Sequence, residues 1–163
     1  MRPDKQIVCM MSGWPIHCFK YPVQVYPGLW LSGVGFDTDI PTWCKRNNIQ
    51  FILNTAGAFG QSFYEKSPTR LNITYKEIEI TDDSDAVLHP YLEETYEFIK
   101  NAQEKQEHIL VHCIWGQSRS VSFIIYFLMK EHKLTYDEAL SKIRLSKPEA
   151  YPNENFEEEL RKL

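Results

Sequence analysis

The run "HILVHCIWGQSRSVSFIIYFLM" at positions 108–129 constrains this chain more than any other part of it. "HILVHC" (108–113) is a continuous apolar stretch, the composition of a strand buried on both faces inside a parallel sheet. "SRSVSFIIYFLMKEH" (118–132) is apolar around most of a helical repeat, so it is expected to be a central helix. A tight loop containing Gly116 separates the two. A buried strand that passes at once into a buried helix is the working unit of an α/β layer architecture. Two residues do not fit a purely structural role. Cys113 closes the strand, and Arg119 opens an apolar helix, where a charge is costly unless it is paired.

The rest of the chain repeats the alternation. "VQVYPGLWLSG" (23–33) reads as two short strands around Pro27-Gly28, and "QFILNTA" (50–56) as a buried strand. "TYKEIEI" (74–80) reads as another, with Tyr75, Ile78 and Ile80 among its apolar members. "DIPTWCKRNN" (39–48) suits a short helix with Pro41 in its first turn. "PYLEETYEFIKNAQEKQ" (90–106) places Leu92, Tyr96 and Ile99 near helical spacing. In "TYDEALSKIRLSK" (135–147) Thr135 and Glu138 form a capping box, and Pro148 ends the helix. "NENFEEELRKL" (153–163) is acidic first and basic last, which matches a helix dipole. The expected fold is α/β: a central, mostly parallel twisted sheet flanked by helices. A chain of 163 residues is most simply one domain, read here as 23–163 with residues 1–22 laid on it as an arm.

Charge and cysteine usage narrow the partners. The formal net charge is −4 and no long basic run occurs, which argues against nucleic acid or an anionic membrane as the main partner. Apolar stretches such as 121–129 fall short of the ~18 residues of a membrane span. Cys9, Cys18, Cys44 and Cys113 are far apart without CxxC spacing, so neither a disulfide framework nor a zinc site is expected. The N-terminus reads as no signal peptide. A reduced cytoplasmic setting follows, with the nucleus as a second location, and a monomer is favoured.

The two anomalous residues share one explanation. Backbone N–H groups of Ile114, Trp115, Gly116, Gln117, Ser118 and Arg119 can turn inward, and the new helix aims its positive end at the same point. Arg119 adds a fixed fork of donors suited to two phosphate oxygens. Such a hole holds a phosphate dianion and equally stabilises a thiolate. A free thiol titrates near ~8.5, and helix N-termini with cationic neighbours lower that to roughly 3.5–7.5. Cys113 is therefore expected to be an ionised nucleophile that attacks phosphorus and forms a cysteinyl-phosphate, which water then hydrolyses. The departing oxygen needs a proton donor opposite the thiolate. "ITDDSD" (80–85) offers Asp82, Asp83 and Asp85.

"HCIWGQSRS" resembles the Cys-x5-Arg signature of protein tyrosine phosphatases. "ILVHC" and "SRS", without a glycine before the arginine, resemble the dual-specificity branch in its small atypical form. The similarity runs on through "VYPGLWLSG", "ILNTA", "YKEIEITDD" and "KPEAYPNENFEEEL". The resemblance implies a phosphatase-type α/β fold, phosphoprotein substrates and no metal or other cofactor. It places the general acid two residues past the last apolar residue of its strand, hence Asp82 after Ile80. It gives the Ser120 hydroxyl a bond to the Cys113 sulfur, and Asn54 and Asn153 a part in bracing the phosphate loop. His112, alternating away from Cys113 along the strand, is expected to hold the loop by hydrogen bonds and assist thiolate formation. Trp115 departs from the alanine of many relatives, and must pack under the loop or line its rim. No lysine or further arginine lies between 113 and 119, which disfavours an inositol phospholipid. The alternatives are a non-protein substrate, such as a phospholipid, a phosphoglycan or an RNA 5′-triphosphate, or a non-catalytic module that binds phosphoproteins.

Overall fold

The computed structural model describes residues 20–34, 40–61 and 72–163. The elements in chain order are β1 (Val23–Tyr26), β2 (Leu29–Gly33), α1 (Ile40–Arg46), β3 (Ile49–Asn54), α2 (Gly57–Gln61), β4 (Thr74–Glu77) and α3 (His89–Glu104). They continue with β5 (His108–Cys113), α4 (Arg119–His132), α5 (Tyr136–Arg144) and α6 (Glu154–Arg161). The strands form one sheet in the order β1-β2-β5-β3-β4. β1 and β2 are an antiparallel hairpin, and every other pairing is parallel. The expected mostly parallel sheet is therefore present, with β5 at its centre.

Alternation along the strands sorts side chains to two layers. Phe51 and Leu53 of β3, with Ile109 and Val111 of β5, enter the larger core, packed with Leu92, Tyr96 and Ile99 of α3 and the apolar body of α4. Ile52 and Leu110 point the other way, onto Ile40, Trp43 and Cys44 of α1. α4 is buried on most faces because α3, α5, α6 and the sheet all pack on it. Its C-terminus ends at Lys133 in the left-handed region (φ 57°). The capping box of α5 forms as the sequence predicts: Glu138 N–H donates to Thr135 Oγ1 at 3.3 Å, and Thr135 N–H to Glu138 Oε2 at 2.8 Å.

Two boundaries differ from the sequence reading by three residues, more than any other. β4 stops at Glu77 rather than 80, because its only ladder partner, β3, ends at Asn54 opposite Glu77. Ile78 N–H still reaches Asn54 O at 2.8 Å, and Ile78 and Ile80 are buried. Their apolar spacing thus records core packing of a chain that has left the sheet. α5 ends at Arg144 instead of 147, since Pro148 disfavours the helical region for the residue before it. Of the arm expected at 1–22, residues 1–19 lie outside the described residues. No helix among the described residues is long and apolar enough to cross a membrane.

The parallel arrangement puts the ends of β2, β3, β4 and β5 on one edge of the sheet. Gly33, Asn54, Glu77 and Cys113 are their last residues. The crevice outside the carboxyl ends of such strands is where α/β sheets bind ligands.

Candidate active site

β5 delivers Cys113 to that edge, residues 114–118 turn sharply, and α4 starts at Arg119. Cys113 is 2% exposed, at the floor of the turn. Its Sγ accepts from Gly116 N–H at 3.2 Å and from Ser120 Oγ at 3.1 Å. The resemblance-based contact of Ser120 with the sulfur is therefore present. Gly116 has φ 72°, and a Cβ there would lie 2.6 Å from the Ser32 carbonyl carbon. Only glycine lets the loop bend this way while lying against the end of β2.

Three neighbours grip the loop. From just past β2, Val34 N–H donates to Cys113 O and Ile114 O at 3.0 and 3.2 Å. From the end of β3, Thr55 donates both its N–H and its hydroxyl to His112 O, each at 2.8 Å. From the segment between α5 and α6, Tyr151 N–H donates to Gln117 O at 2.7 Å and Asn153 N–H to Ser118 Oγ at 3.0 Å. Asn54 does not belong to this set. Its side chain bonds Gly57 O, Tyr75, Glu77 and Ala56 N–H, which fixes the turn between β3 and α2. Thr55 is the residue that braces the phosphate loop from this side, because β3 has ended and its side chain lies beside the His112 carbonyl.

Arg119 is 7% exposed, and its Nη1 donates to Ile80 O at 3.1 Å. Its buried Nε–H has no partner among the described residues, a donor that an oxyanion in the loop would satisfy. The Ile80 contact also ties α4 to the start of the aspartate segment. Of the three aspartates there, Asp82 is the one bonded to the loop. Ser118 Oγ donates to its Oδ1 at 2.6 Å, and Asn153 Nδ2 donates to the same oxygen at 2.8 Å. Asp83 instead accepts from Asp85 N–H at 3.1 Å and shapes a local turn. Asn153 thus bonds the loop through its backbone and Asp82 through its side chain. Its Oδ1 also accepts from Phe156 N–H at 2.9 Å as the N-cap of α6.

His112 is fully buried, and burial pushes its pKa down to about 3, with the Arg119 charge adding to the depression. At physiological pH it is a neutral imidazole, with one ring N–H to donate and no positive charge. Trp115 lines the rim: it is 43% exposed, with Lys20 Nζ 4.4 Å from its ring centroid. Sequence reasoning missed Lys147. It is 1% exposed, its pKa is lowered by burial, and the charges of Glu149 and Cys113 oppose that shift. The only local sign of it in the sequence is a lysine before Pro148.

A cysteine whose sulfur accepts from a loop amide and a serine hydroxyl, an arginine opening the next helix and a carboxylate latched to the loop together define a cysteine-based phosphatase. Residues 35–163 match the family model described as "Dual specificity phosphatase, catalytic domain". "Dual specificity protein phosphatase 1B" of Arabidopsis thaliana is 32% identical over 133 residues, which cover 82% of this chain and 75% of that protein. Among solved structures, "Crystal structure of DUSP15" superposes with a TM-score of 0.75 at 26% identity, covering 86% of this chain and 85% of that one. The human "tyrosine phosphatase-like serine/threonine/tyrosine-interacting protein" has the same fold, with a TM-score of 0.78 at 22% identity over 86% of this chain and 93% of its own. The chain belongs to the dual specificity phosphatase family, whose members are cysteine-based protein phosphatases.

Proposed function

We propose that this chain hydrolyses phosphotyrosine, phosphoserine and phosphothreonine in proteins through an intermediate on Cys113. The convergence of Gly116 N–H and Ser120 Oγ on one sulfur, with Asp82 tied to the same loop, carries this reading. In the first step the Cys113 thiolate attacks phosphorus, and an S–P bond forms as the bond to the ester oxygen breaks. Arg119 and the N–H groups of 114–119 hold the three equatorial oxygens, where charge gathers. Asp82 gives its proton to the departing oxygen. In the second step the Asp82 carboxylate takes a proton from water, the oxygen of that water bonds phosphorus, and the S–P bond breaks. Ser120 then donates to the sulfur that leaves as thiolate. The catalytic unit in this reading is 23–163, working on phosphoproteins in the cytoplasm or nucleus, as a monomer and without a cofactor.

Cys113→Ser tests the reading. The hydroxyl stays protonated in the same hole, so hydrolysis of phosphotyrosine and phosphothreonine peptides is expected to vanish while the far-ultraviolet dichroism stays native. Residual turnover within about tenfold of wild type would rule out a thiolate mechanism. The same panel includes a phosphoinositide and an RNA 5′-triphosphate. Faster turnover of either than of the peptides would move the substrate class away from proteins.

A further inference from the structure

The acid-bearing stretch has little structure of its own. Residues 78–88 lie in no helix or strand, and Asp82, Asp83, Ser84, Asp85 and Val87 are exposed. One backbone bond, Ala86 N–H to Asp83 O at 3.3 Å, lies within 81–88. Such a segment belongs to the least stable part of a fold. A proton donor nonetheless works only when it is held in position against the leaving oxygen.

α6 supplies the missing order. Asn153, at its N-cap, bonds Asp82. Asn155, in its first turn, donates to Ala86 O. Glu159, one turn further on, accepts from Leu88 N–H at 3.0 Å through Oε1 and from His89 N–H at 3.0 Å through Oε2. The partners follow each other in the same order along both segments, so α6 lies alongside the loop as a splint. The Glu159 contact has a second purpose. α3 begins at His89 behind Leu88, whose buried side chain is apolar and so offers no cap. The orphan N–H groups of that helix start, and its positive end, are met by a carboxylate from the far end of the chain. One side chain thus fixes both the start of α3 and the end of the acid loop.

We propose that Asn155 and Glu159 are positioning residues for the proton-transfer step, holding the 82–89 segment so that Asp82 meets the leaving oxygen. This rests on the reading of Asp82 as the general acid. Neither side chain is bonded to Cys113, Arg119 or the phosphate loop, so their loss is expected to leave the attack of sulfur intact and to impair only the proton transfers made by Asp82.

The experiment compares Glu159→Ala, Glu159→Gln and Asn155→Ala in the full chain on two esters. Phenyl phosphate needs its leaving group protonated, whereas 2,4-dinitrophenyl phosphate does not. Glu159→Ala and Asn155→Ala are each expected to lower kcat/KM on phenyl phosphate by at least about tenfold, part of the ~10²–10⁴ that a placed proton donor supplies. On the dinitrophenyl ester kcat/KM is expected to stay within about twofold, because it reads only the sulfur-attack step, in which that leaving group draws nothing from the acid. The decline of the rate at high pH is expected to flatten. Glu159→Gln, which keeps one acceptor oxygen, is expected to recover part of the loss. Hydrogen exchange at Leu88 and His89 is expected to quicken in Glu159→Ala. Equal losses on both esters would mean a merely structural role and overturn the inference, as would faster exchange with no loss on phenyl phosphate. Should Glu159→Ala not fold, Asn155→Ala and Glu159→Gln decide by the same ratio of the two esters. A wild type that hydrolyses neither ester would overturn the phosphatase reading itself, whereas an active wild type with a flat ester ratio in the variants overturns this inference alone.

Discussion

Three aspartates follow Ile80 within five residues, and nothing in their chemistry tells them apart. Their hydrogen bonds do. Asp82 is tied to Ser118 and Asn153, while Asp83 is turned into its own backbone. Ser118 shows the competition plainly. It occupies the N-cap position of α4 yet makes no side-chain cap, because its hydroxyl is spent on Asp82. Asp82→Asn keeps an acceptor oxygen for both donors, so the loop is expected to keep its shape while losing the transferable proton. Turnover of phenyl phosphate is expected to fall by roughly 10²–10⁴-fold, and the loss to shrink for a more acidic leaving group. Asp85→Asn, which shares the loop and the charge but none of these bonds, is expected to change turnover little. A large leaving-group-dependent loss from Asp85→Asn instead would move the acid by three positions and leave Cys113 and Arg119 in place.

At the scale of elements, what the sequence shows is what lies close together along the chain. β5, the turn and α4 are legible because apolar runs, Gly116, Cys113 and Arg119 stand side by side in 108–132. The capping box of α5 is legible for the same reason. The braces are not. Thr55 meets the His112 carbonyl across 57 residues, Asn155 meets Ala86 across 69, and Glu159 meets Leu88 across 71. No periodicity links such pairs, and a threonine, an asparagine or a glutamate has many bland uses. Asn54 illustrates the opposite error, a polar residue at the right strand end whose side chain serves the neighbouring turn. The loop itself makes a sharp prediction. In Gly116→Ala the new methyl would lie 2.6–2.8 Å from backbone atoms of Ser32 and Gly33, at a φ of 72°. Backbone strain of about 1–3 kcal/mol, or displacement of the amide that faces the sulfur, is the consequence. A fall in kcat/KM of at least about fivefold is expected, together with weaker inhibition by inorganic phosphate. An alanine variant with unchanged phosphate inhibition would mean that the loop tolerates a different turn.

For the whole molecule, the site and the stability meet in β5. The strand lies between β2 and β3, and His112 within it is fully buried. Its pKa is depressed from 6.5 to about 3, chiefly by burial. Between those values the unfolded chain binds a proton that the native state does not, so stability rises with pH across that window. The contribution is complete above about 6.5 and drains away as the pH falls toward 3, with a slope of up to about 1.4 kcal/mol per unit. Carboxylates whose pKa values are lowered by their partners, namely Glu93, Asp137 and Glu138, add to acid sensitivity only in their own, more acidic range. The interval from pH 6.5 to 5 therefore isolates the histidine. Urea midpoints measured at half-unit steps are expected to fall steadily across it in the wild type, and to fall much less in His112→Gln, whatever that variant's stability at neutral pH. Parallel slopes for the two proteins would show that His112 is protonated inside the folded strand, against the neutral imidazole described here.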